Sequence, residues 1–240
     1  MKSLILSSGF GTRLYPLTAN KAKGLLQYKG RPLISYIVDK VPQDMEILVN
    51  TNKKFEADFR QWQKSMHREI TLCVEPVFTE EQSFGAIGSV DYWVRTKNII
   101  DDLLVIASDN YFEFDLSKFI SAYNGKNTLV AVHDIGDKSE ANLYGVVQLD
   151  GYKIAEFDEK PPKPKSSLVS TACYILPSRV FPILFEFCAG GKRANLGSFI
   201  AYLMSRDEVH AYTFTELWFD VGSIDIYTLV QQAREGNGCN

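Results

Sequence analysis

The first strand predicted in the chain, over residues 2–7, runs directly into a glycine-rich turn in the segment KSLILSSGFGTR. In open α/β sheets, ligands bind outside the carboxyl ends of the strands. Gly9 and Gly11 lie at that point, where the absence of a Cβ lets backbone N–H groups approach a phosphate closely. Arg13 and Lys23 follow, one with a planar fork of donors and the other with a point charge. The segment therefore favours a phosphate-binding loop.

Two common phosphate-binding motifs do not fit this segment. A dinucleotide fingerprint needs a third glycine three residues after Gly11, where Leu14 stands. A P-loop needs a Gly-Lys pair five residues after Gly9, where Leu14 and Tyr15 stand. A Gly-x-Gly pair alone is also typical of an ordinary tight turn, so the prediction depends on the cations that follow it.

The first half of the chain alternates between predicted strands and helices. The segment 103–107 is apolar throughout, as expected for a parallel strand buried on both faces. Strands that alternate with crossover helices predict a doubly wound α/β sheet. The predicted strands cover 2–7, 46–52, 70–74 and 103–107, and the predicted helices cover 33–38, 55–66 and 86–96.

The second half of the chain predicts a mixture of hairpins and helices. Asp150 and Gly151 join two short strands and are typical of a tight hairpin turn. We find no internal repeat and no long linker, so we expect one α/β domain with a smaller, mixed α+β half. The predicted strands cover 144–149, 153–157, 170–176, 209–214 and 217–221, and the predicted helices 179–188, 196–205 and 224–235, the last ended by Gly236.

Charge and composition exclude several classes of protein. With 26 Lys and Arg against 29 Asp and Glu, the formal net charge is −3, whereas a nucleic-acid-binding surface is normally basic. The four cysteines and three histidines show no metal-binding or redox spacing. The apolar start is too short for a signal peptide or a membrane segment. We therefore expect a soluble, cytoplasmic protein with no nucleic-acid or membrane partner.

Five stretches of the sequence, in this order, resemble the motifs of one enzyme family. They are LILSSGFGTRLYPLT with AKGLLQYKGRPLI, then FGAIGSV, LLVIASDNYF, YGVVQLDGYKIAEFDEKPPKPKSS and LWFDVGSIDIY. Together they resemble the sugar-1-phosphate nucleotidyltransferases, or nucleotide-sugar pyrophosphorylases, in particular the glucose-1-phosphate thymidylyltransferases. The resemblance implies a Rossmann-like doubly wound mixed sheet with a smaller α+β sugar-binding half. It implies one domain over 1–240, with a nucleotide-binding half to about 135 and a sugar-phosphate-binding half from about 136.

The resemblance also implies a reaction and its catalytic residues. A nucleoside triphosphate and a sugar 1-phosphate would give a nucleotide sugar and pyrophosphate, mainly through positioning and charge neutralisation. Mg²⁺, which prefers oxygen ligands, is the expected cofactor, with Asp109 and Asp220 as its ligands. An aspartate at a strand end is by itself more often a cap or turn residue, so this assignment depends on the motifs. Arg13 is expected to bind the β- and γ-phosphates, and Lys23 to neutralise the α-phosphate.

The remaining substrate contacts follow from the same resemblance. Two residues compete for the base edge, Glu75 by its place before Pro76 and Gln82 by residue type alone. A carboxylate only accepts hydrogen bonds, which suits the N3–H of uracil or thymine and the N–H groups of guanine but not the bare N3 of cytosine. We therefore expect dTTP or UTP to be preferred over CTP. The implied nucleotide-binding residues are Leu6, Ser8, Gly9, Gly11, Thr12, Glu75, Gln82 and Gly85, and the implied sugar-phosphate-binding residues are Gly145, Glu159, Lys160, Ser170 and Thr171.

Several positions depart from the family pattern. Ser7 and Ser8 replace a pair of small apolar residues or glycines, Ala22 replaces a proline, and Ala172 replaces a glycine beside the sugar pocket. Changes of this kind retune specificity by about 1–3 kcal/mol. The chain ends soon after its last predicted helix, so we expect no C-terminal β-helix with acetyltransferase activity. Because family members are often oligomeric, a homo-oligomer is a further expectation.

Three alternatives stay open. A cytidylyltransferase acting on a non-sugar phosphate would share the fold, although the YGV and EKP segments argue against it. A non-catalytic regulatory subunit that binds nucleotide sugars would be expected to have lost Arg13, Lys23 or an aspartate, and all are present. A glycosyltransferase of similar topology should carry an Asp-x-Asp motif, whereas the strand-end sequence SDNY has one aspartate.

Overall fold

The computed structural model describes residues 1–190, 194–222, 224 and 226–228. None of the described helices has both the length and the apolarity needed to cross a membrane. The strands are β1 Lys2–Leu6, β2 Gln27–Tyr28, β3 Arg31–Pro32, β4 Ile47–Asn52, β5 Thr71–Glu75, β6 Leu103–Ala107, β7 Asn110–Phe112, β8 Thr128–Asp134, β9 Gly145–Asp150, β10 Lys153–Glu159, β11 Leu168–Leu176, β12 Val209–Phe214 and β13 Trp218–Asp220. The α-helices are α1 Leu33–Lys40, α2 Glu56–Lys64, α3 Gly85–Thr96, α4 Leu116–Ser121, α5 Phe181–Ala189 and α6 Leu196–Met204.

Within the described residues, nine strands form one mixed sheet in the order β5-β4-β1-β6-β11-β8-β12-β10-β9. The first four run parallel, and Leu4 of β1 lies opposite Leu48 on one side and Val105 on the other. β11 joins this part antiparallel and also pairs with β9, whose hairpin partner is β10. The carboxyl ends of the parallel strands therefore share one edge, which is where ligands bind in sheets of this kind.

Helices cover both faces of the sheet. The side chains of β1 alternate between the two apolar cores, with Ile5 in one and Leu4 and Leu6 in the other. A strand buried on both faces needs apolar residues at successive positions, which explains the run LLVIA in β6. The doubly wound α/β class predicted from the sequence is confirmed. One core includes Ile34, Ile37, Phe59, Trp62 and Phe119 of α1, α2 and α4, and the other includes Val90, Trp93, Leu184, Phe199 and Ile200 of α3, α5 and α6.

The predicted elements agree with the observed ones to within two residues at each end, apart from the helix predicted over 224–235, which lies largely outside the described residues. The sequence analysis missed β8, which lies between β11 and β12 in the sheet. Its segment TLVAVHD is a short apolar run, a pattern that fits a buried strand or part of a helix equally well. It also missed α4 and β7, which have six and three residues and show little periodicity.

A two-stranded ribbon outside the main sheet joins two distant motifs. β13 pairs antiparallel with β7, so that Asp220 lies opposite Asn110. Trp218 Nε1 donates to Asn110 Oδ1 at 2.8 Å, and the Val221 N–H donates to the carbonyl of Asp109 at 3.0 Å. This pairing places the end of β13 beside the residue that follows β6.

Candidate active site

A cleft of about 440 Å³ opens at the carboxyl ends of β1 and β6. Its volume falls within the range of about 300–1,000 Å³ that is common for small-molecule sites. The wall combines the turn after β1, the start of α3, the end of β6 and residues from the second half of the chain. The structure thus brings many of the sequence-predicted residues together: Leu6, Ser8, Gly9, Gly11, Thr12, Arg13, Lys23, Gly85, Asp109, Lys160 and Asp220.

Three charged side chains, Lys23, Asp109 and Asp220, form an ion cluster in this cleft. Lys23 Nζ donates to Asp109 Oδ2 at 2.5 Å and lies 3.7 Å from Asp220 Oδ1. The Lys23 side chain is 19% exposed and that of Asp220 is 28% exposed. Asp220 Oδ1 is itself buried and has no hydrogen-bond partner among the described residues. The cluster therefore holds one carboxylate oxygen that its neighbours leave unsatisfied.

The pKa values within the ion cluster follow from this crowding. Burial, followed by the negative charge of Asp109, raises the pKa of the Asp220 carboxyl to about 6, while Lys23 and Lys160 oppose that rise. Burial acts to lower the pKa of the Lys23 ammonium, but the two aspartates outweigh it and raise that pKa above its usual value. Lys23 is therefore a cation at neutral pH. Perturbed groups of this kind in a cleft are typical of functional sites.

A close backbone approach at Gly24 positions Lys23. Gly24 lies in a short 3₁₀ turn, Lys23–Leu25, packed against the ends of β1 and β6. A Cβ atom added at Gly24 would lie 2.7 Å from both Ser7 Oγ and Ser108 Oγ. Those two hydroxyls are themselves hydrogen-bonded at 2.7 Å. A side chain at Gly24 would therefore displace either these hydroxyls or the turn that carries Lys23.

The ion cluster fits a Mg²⁺ ion by the chemistry of its oxygen donors. Mg²⁺ is commonly held by one or two carboxylates together with substrate phosphates. Asp109 and Asp220 supply two carboxylates, and no described residue donates a hydrogen bond to the buried Oδ1 of Asp220. The described residues contain no group of three or more His, Cys, Asp or Glu that could hold a metal ion.

The turn after β1 has the backbone geometry that its glycines suggested. Gly11 has φ +65°, in the left-handed region that favours glycine, and its carbonyl accepts from Thr18 Oγ1 at 2.6 Å. The following residues Thr12–Leu14 form a 3₁₀ turn that includes Arg13, which is exposed in the cleft. Thr12 Oγ1 donates to Glu80 Oε1 at 3.1 Å, which links the turn to the loop before α3.

The structure does not bring Glu75 to the cleft. Its side chain, at the end of β5, is 1% exposed, and Oε1 accepts from Asn50 Nδ2 at 2.7 Å and from Trp93 Nε1 at 3.3 Å. Asn50 Nδ2 also lies 3.2 Å from Ser8 Oγ, which lies 3.2 Å from Ser89 Oγ. We call these five residues the Glu75 network. Burial raises the pKa of the Glu75 carboxyl, and the donors around it oppose that rise.

The other candidate for the base edge, Gln82, caps a short turn. Gln82 Oε1 accepts from the backbone N–H groups of Phe78 and Thr79 at 2.9 and 3.3 Å, and the residue is outside the lining of the cleft. Gly85, in contrast, lines the cleft at the start of α3 with φ +73°. The side chains of both predicted base readers are therefore engaged by the protein.

The predicted sugar-phosphate residues lie in two groups. Lys160 lines the cleft, with φ +49° and its N–H bonded to the carbonyl of Tyr144 at 3.0 Å. Glu159 is half-buried beside the start of α6, and burial raises the pKa of its carboxyl while Lys160 and then Asn195 oppose the rise. Gly145, Glu159, Ser170 and Thr171 are outside the lining of the cleft.

Ser170 and Thr171 are buried near an irregular part of β11. Ser170 Oγ lies 2.6 Å from the Tyr174 hydroxyl, and Thr171 Oγ1 donates to the carbonyl of Ala131 at 3.0 Å. The register of β11 against β8 shifts between Ser170 and Tyr174, and Ala172 has φ +54° within this bulge. The alanine thus occupies a conformation that the glycine of the family pattern would adopt with less strain.

Sequence reasoning missed several residues that shape the site. Ser7 and Ser108 line the cleft and limit the space at Gly24. They were not predicted as site residues, although they are the sequence neighbours of Ser8 and Asp109, which were. Asn195 contacts Glu159. From the sequence, Asn195 could have been predicted only as a helix N-cap, because it precedes an apolar run.

A glycine turn, cations and two carboxylates at the carboxyl ends of the parallel strands are typical of α/β proteins that bind phosphate-containing ligands. The sequence profile of one family, described as nucleotidyl transferase, matches residues 2–236. Because this match covers nearly the whole chain, the chain belongs to the nucleotidyl transferase family. The resemblance found in the sequence motifs is confirmed at this level.

Curated relatives match over most of this chain but only part of their own length. A protein named as a mannose-1-phosphate guanyltransferase from Sulfolobus acidocaldarius is 26% identical over 227 residues, 92% of this chain and 60% of that protein. The bifunctional protein GlmU of Methanocaldococcus jannaschii is 30% identical over 228 residues, 92% of this chain and 51% of that protein. The chain thus spans about half to three fifths of the length of these relatives.

Solved structures of similar length share the fold. A protein from Bacillus anthracis named as a glucose-1-phosphate thymidylyltransferase superposes with a TM-score of 0.83 at 25% identity, covering 97% of this chain and 94% of the other. A UDP-glucose pyrophosphorylase in complex with UDP-glucose gives a TM-score of 0.80 at 22% identity, covering 98% of both chains. The architecture of this chain is therefore that of known nucleotidyltransferase structures.

Proposed function

We propose that the protein is a sugar-1-phosphate nucleotidyltransferase, which condenses a nucleoside triphosphate with a sugar 1-phosphate and releases pyrophosphate. The observation that carries this proposal is the ion cluster in the cleft beside the glycine turn. Lys23 lies 2.5 Å from one aspartate and 3.7 Å from a second, at the edge of the sheet where a phosphate would bind. The family supports the same reaction, since its members include the guanyl- and thymidylyltransferases described above.

The chemistry assigns distinct work to the cations. An oxygen of the sugar phosphate attacks the α-phosphorus, the bond to the bridging oxygen breaks, and pyrophosphate leaves on the opposite side. Arg13 binds the β- and γ-phosphates and stabilises the departing pyrophosphate through paired N–H donors. Lys23 neutralises the α-phosphate region, and Lys160 holds the attacking phosphate. Positioning and charge neutralisation account for most of the rate enhancement.

Asp109 and Asp220 are the residues that would hold Mg²⁺. When bound, the ion supplies positive charge that neutralises the phosphate being transferred. The support for this assignment is the carboxylate pair and the buried Oδ1 of Asp220, which accepts no hydrogen bond from the residues that the structure describes. Lys23 keeps the two carboxylates close together while they carry like charges, which preorganises the pair.

We further propose a division of labour between the two halves of the chain. Residues 1–135 bind the nucleotide through Leu6, Ser8, Gly9, Gly11, Thr12 and Gly85. Residues 136–240 bind the sugar phosphate through Gly145, Glu159, Lys160, Ser170 and Thr171. Glu159 accepts hydrogen bonds from sugar hydroxyls, which an apolar side chain could not do. Because a nucleoside triphosphate is an intracellular substrate, we propose the cytoplasm as the site of action.

The favoured nucleotide in this proposal is dTTP or UTP. Its support is the thymidylyltransferase structure, which is 25% identical and matches nearly the full length of both chains. Because Glu75 is enclosed, its carboxylate does not contact the base directly in this proposal. The base instead contacts the backbone around Gly85 and the turn after β1, which line the cleft.

The test is a pyrophosphate-release screen that crosses the common nucleoside triphosphates with a panel of sugar 1-phosphates and with phosphocholine. We expect turnover with at least one sugar 1-phosphate, highest with dTTP or UTP. A clear preference for CTP with phosphocholine would replace the proposal by the cytidylyltransferase alternative. Nucleotide-sugar binding without turnover for any pair would replace it by a regulatory subunit.

A further inference from the structure

The start of α6 holds the Glu159 carboxylate in one orientation. Asn195 Nδ2 donates to Glu159 Oε1 at 2.7 Å, while Asn195 Oδ1 accepts from the Ser198 N–H at 2.8 Å and caps the helix. The cap requires an acceptor, so the donor end of the same amide must face Glu159. Asparagine serves both partners at once. Aspartate has no donor for Glu159, and the hydroxyl of serine lies closer to the backbone than the asparagine amide that reaches Glu159.

Two glycines leave the space that the Glu159 carboxylate occupies. A Cβ atom added at Gly197 would lie 1.9 Å from Glu159 Oε2 and 3.1 Å from Phe157 Cε1. A Cβ atom added at Gly145, on β9, would lie 3.2 Å from Glu159 Oε2 and 2.6 Å from Phe157 Cζ. Any side chain at Gly197 would therefore displace the carboxylate. The backbones of β9 and α6 enclose Glu159 from two sides.

We infer that Asn195 and Gly197 are positioning residues that orient Glu159 for recognition of the sugar. This inference rests on the proposed function, in which Glu159 accepts hydrogen bonds from sugar hydroxyls. With Oε1 engaged by Asn195, the remaining acceptor positions of the carboxylate point in fixed directions. A sugar whose hydroxyls match those directions binds better than its epimer. Nucleotide binding at the turn after β1 is independent of this contact.

Exchanges at Asn195 separate helix capping from the positioning of Glu159. Asn195→Ser and Asn195→Asp both keep an N-cap acceptor. Aspartate has no donor and also repels Glu159, whereas the shorter serine side chain withdraws its one donor from the position of Asn195 Nδ2. We expect the KM for the sugar 1-phosphate to rise roughly tenfold with little change in the KM for the triphosphate, because a hydrogen bond to a charged group is lost. The matched control is Asp115→Ser, which exchanges the N-cap of α4, where Asp115 Oδ1 accepts from the Ser117 N–H at 2.8 Å.

Gly197→Ala tests the space beside the carboxylate. Alanine is a better helix former than glycine, so the substitution should not weaken α6 by itself. We expect the KM for the sugar 1-phosphate to rise and the preference between sugar epimers to fall, while the melting temperature is retained. The matched control is Gly190→Ala at the end of α5, where an added Cβ would make an ordinary contact of 3.7 Å with the carbonyl of Phe187.

A double-mutant cycle decides whether Asn195 acts through Glu159. In a Glu159→Ala background, Asn195→Ser should have no further effect on the KM for the sugar phosphate, because the partner is gone. Additive effects, or equal changes in the KM values of both substrates, would overturn the inference while leaving the proposed function intact. A wild-type protein without turnover on any sugar 1-phosphate would overturn the proposed function and the inference with it.

Discussion

Asp220 and Glu75 are two carboxylates at strand ends near the same cleft, and their surroundings differ. Burial raises the pKa of both groups. Glu75 is enclosed by neutral donors such as Asn50 and Trp93. In contrast, the buried Oδ1 of Asp220 has no hydrogen-bond partner in the part of the chain that the structure describes, and it lies 3.7 Å from the Lys23 ammonium. A carboxylate whose oxygens the protein satisfies acts as a structural element. One that is left unsatisfied in a charged cleft is available to a ligand.

The largest expected effect is a loss of turnover when a carboxylate of the ion cluster is replaced by its amide, compared with the same replacement at Glu75. Asp109→Asn and Asp220→Asn should each lower turnover roughly a hundredfold or more, because the charge that would hold Mg²⁺ is lost. Glu75→Gln is the matched exchange and should leave turnover near that of the wild type. Steady-state rates at saturating Mg²⁺, with circular dichroism to confirm folding, measure the difference. Equal losses in all three variants would erase the distinction between the ion cluster and the Glu75 network.

A second prediction divides the cleft between its two substrates. Arg13→Ala should reduce kcat/KM for the triphosphate about tenfold to a hundredfold, since charge-assisted hydrogen bonds to phosphate are lost. Lys160→Ala should mainly raise the KM for the sugar 1-phosphate. Varying one substrate at a time in each variant measures the split. If Lys160→Ala left the kinetics of the sugar phosphate unchanged, its assignment would be withdrawn.

A third prediction concerns the backbone beneath the ion cluster. Gly24→Ala would bring a methyl group within 2.7 Å of the Ser7 and Ser108 hydroxyl oxygens. The turn that carries Lys23 must then shift, and we expect about a tenfold loss of turnover, since misplacing a catalytic group by about 1 Å can cost up to a hundredfold. The control measures the same substitution in a protein that carries Ser7→Ala and Ser108→Ala, with that double variant as its reference. If Gly24→Ala costs as much turnover there as in the wild type, the two hydroxyls are not the obstacle.

The contrast between the two carboxylates also marks the limit of what the sequence predicts. The alternation of strands and helices and the apolar run before Asp109 were sufficient to predict the parallel part of the sheet. They also predicted the edge at which the carboxyl ends of its strands meet. The placement of Asp109 and Asp220 beside the same ammonium, that of Lys23, depends on the β7–β13 ribbon. Each strand of that ribbon has only three residues, too few to show periodicity. The sequence motifs selected both aspartates without predicting their distance.

The enclosure of Glu75 was beyond sequence reasoning for a different reason. Its donors come from separate elements, with Asn50 on β4, Ser8 after β1, and Ser89 and Trp93 on α3. A position after a strand is compatible with a residue that faces the cleft and with one that faces the core. Only the packing of α3 against the sheet decides between these. The contact between Asn195 and Glu159 could not be predicted for the same reason. The helix cap at Asn195 depends on neighbouring residues in the sequence, whereas Glu159 is brought to it only by the tertiary fold.

The smallest expected effect concerns the free energy of unfolding, and it tests whether the buried charge of Glu75 destabilises the folded state. Because burial raises the pKa of Glu75 in the folded state, its contribution to stability is fully present below the pKa of the unfolded chain and is lost as pH rises through the folded value. A glutamine side chain at this position would carry no charge at any pH, and its amide oxygen could still accept from Asn50 Nδ2. Glu75→Gln should therefore become more favourable, relative to the wild type, as the pH rises from about 4 to 8.

Urea unfolding at several pH values measures this difference in the free energy of unfolding. We expect the free energy of unfolding of the variant to rise relative to that of the wild type across that pH range, because burial raises the pKa of Glu75 in the folded state. Glu69→Gln, which substitutes an exposed glutamate in the same way, is the matched control. A gain for Glu75→Gln no larger than that of the control would mean that the neutral donors fully compensate for burial. Glu75 would then be as well solvated by protein as by water, and its contrast with Asp220 would rest on hydrogen bonding alone.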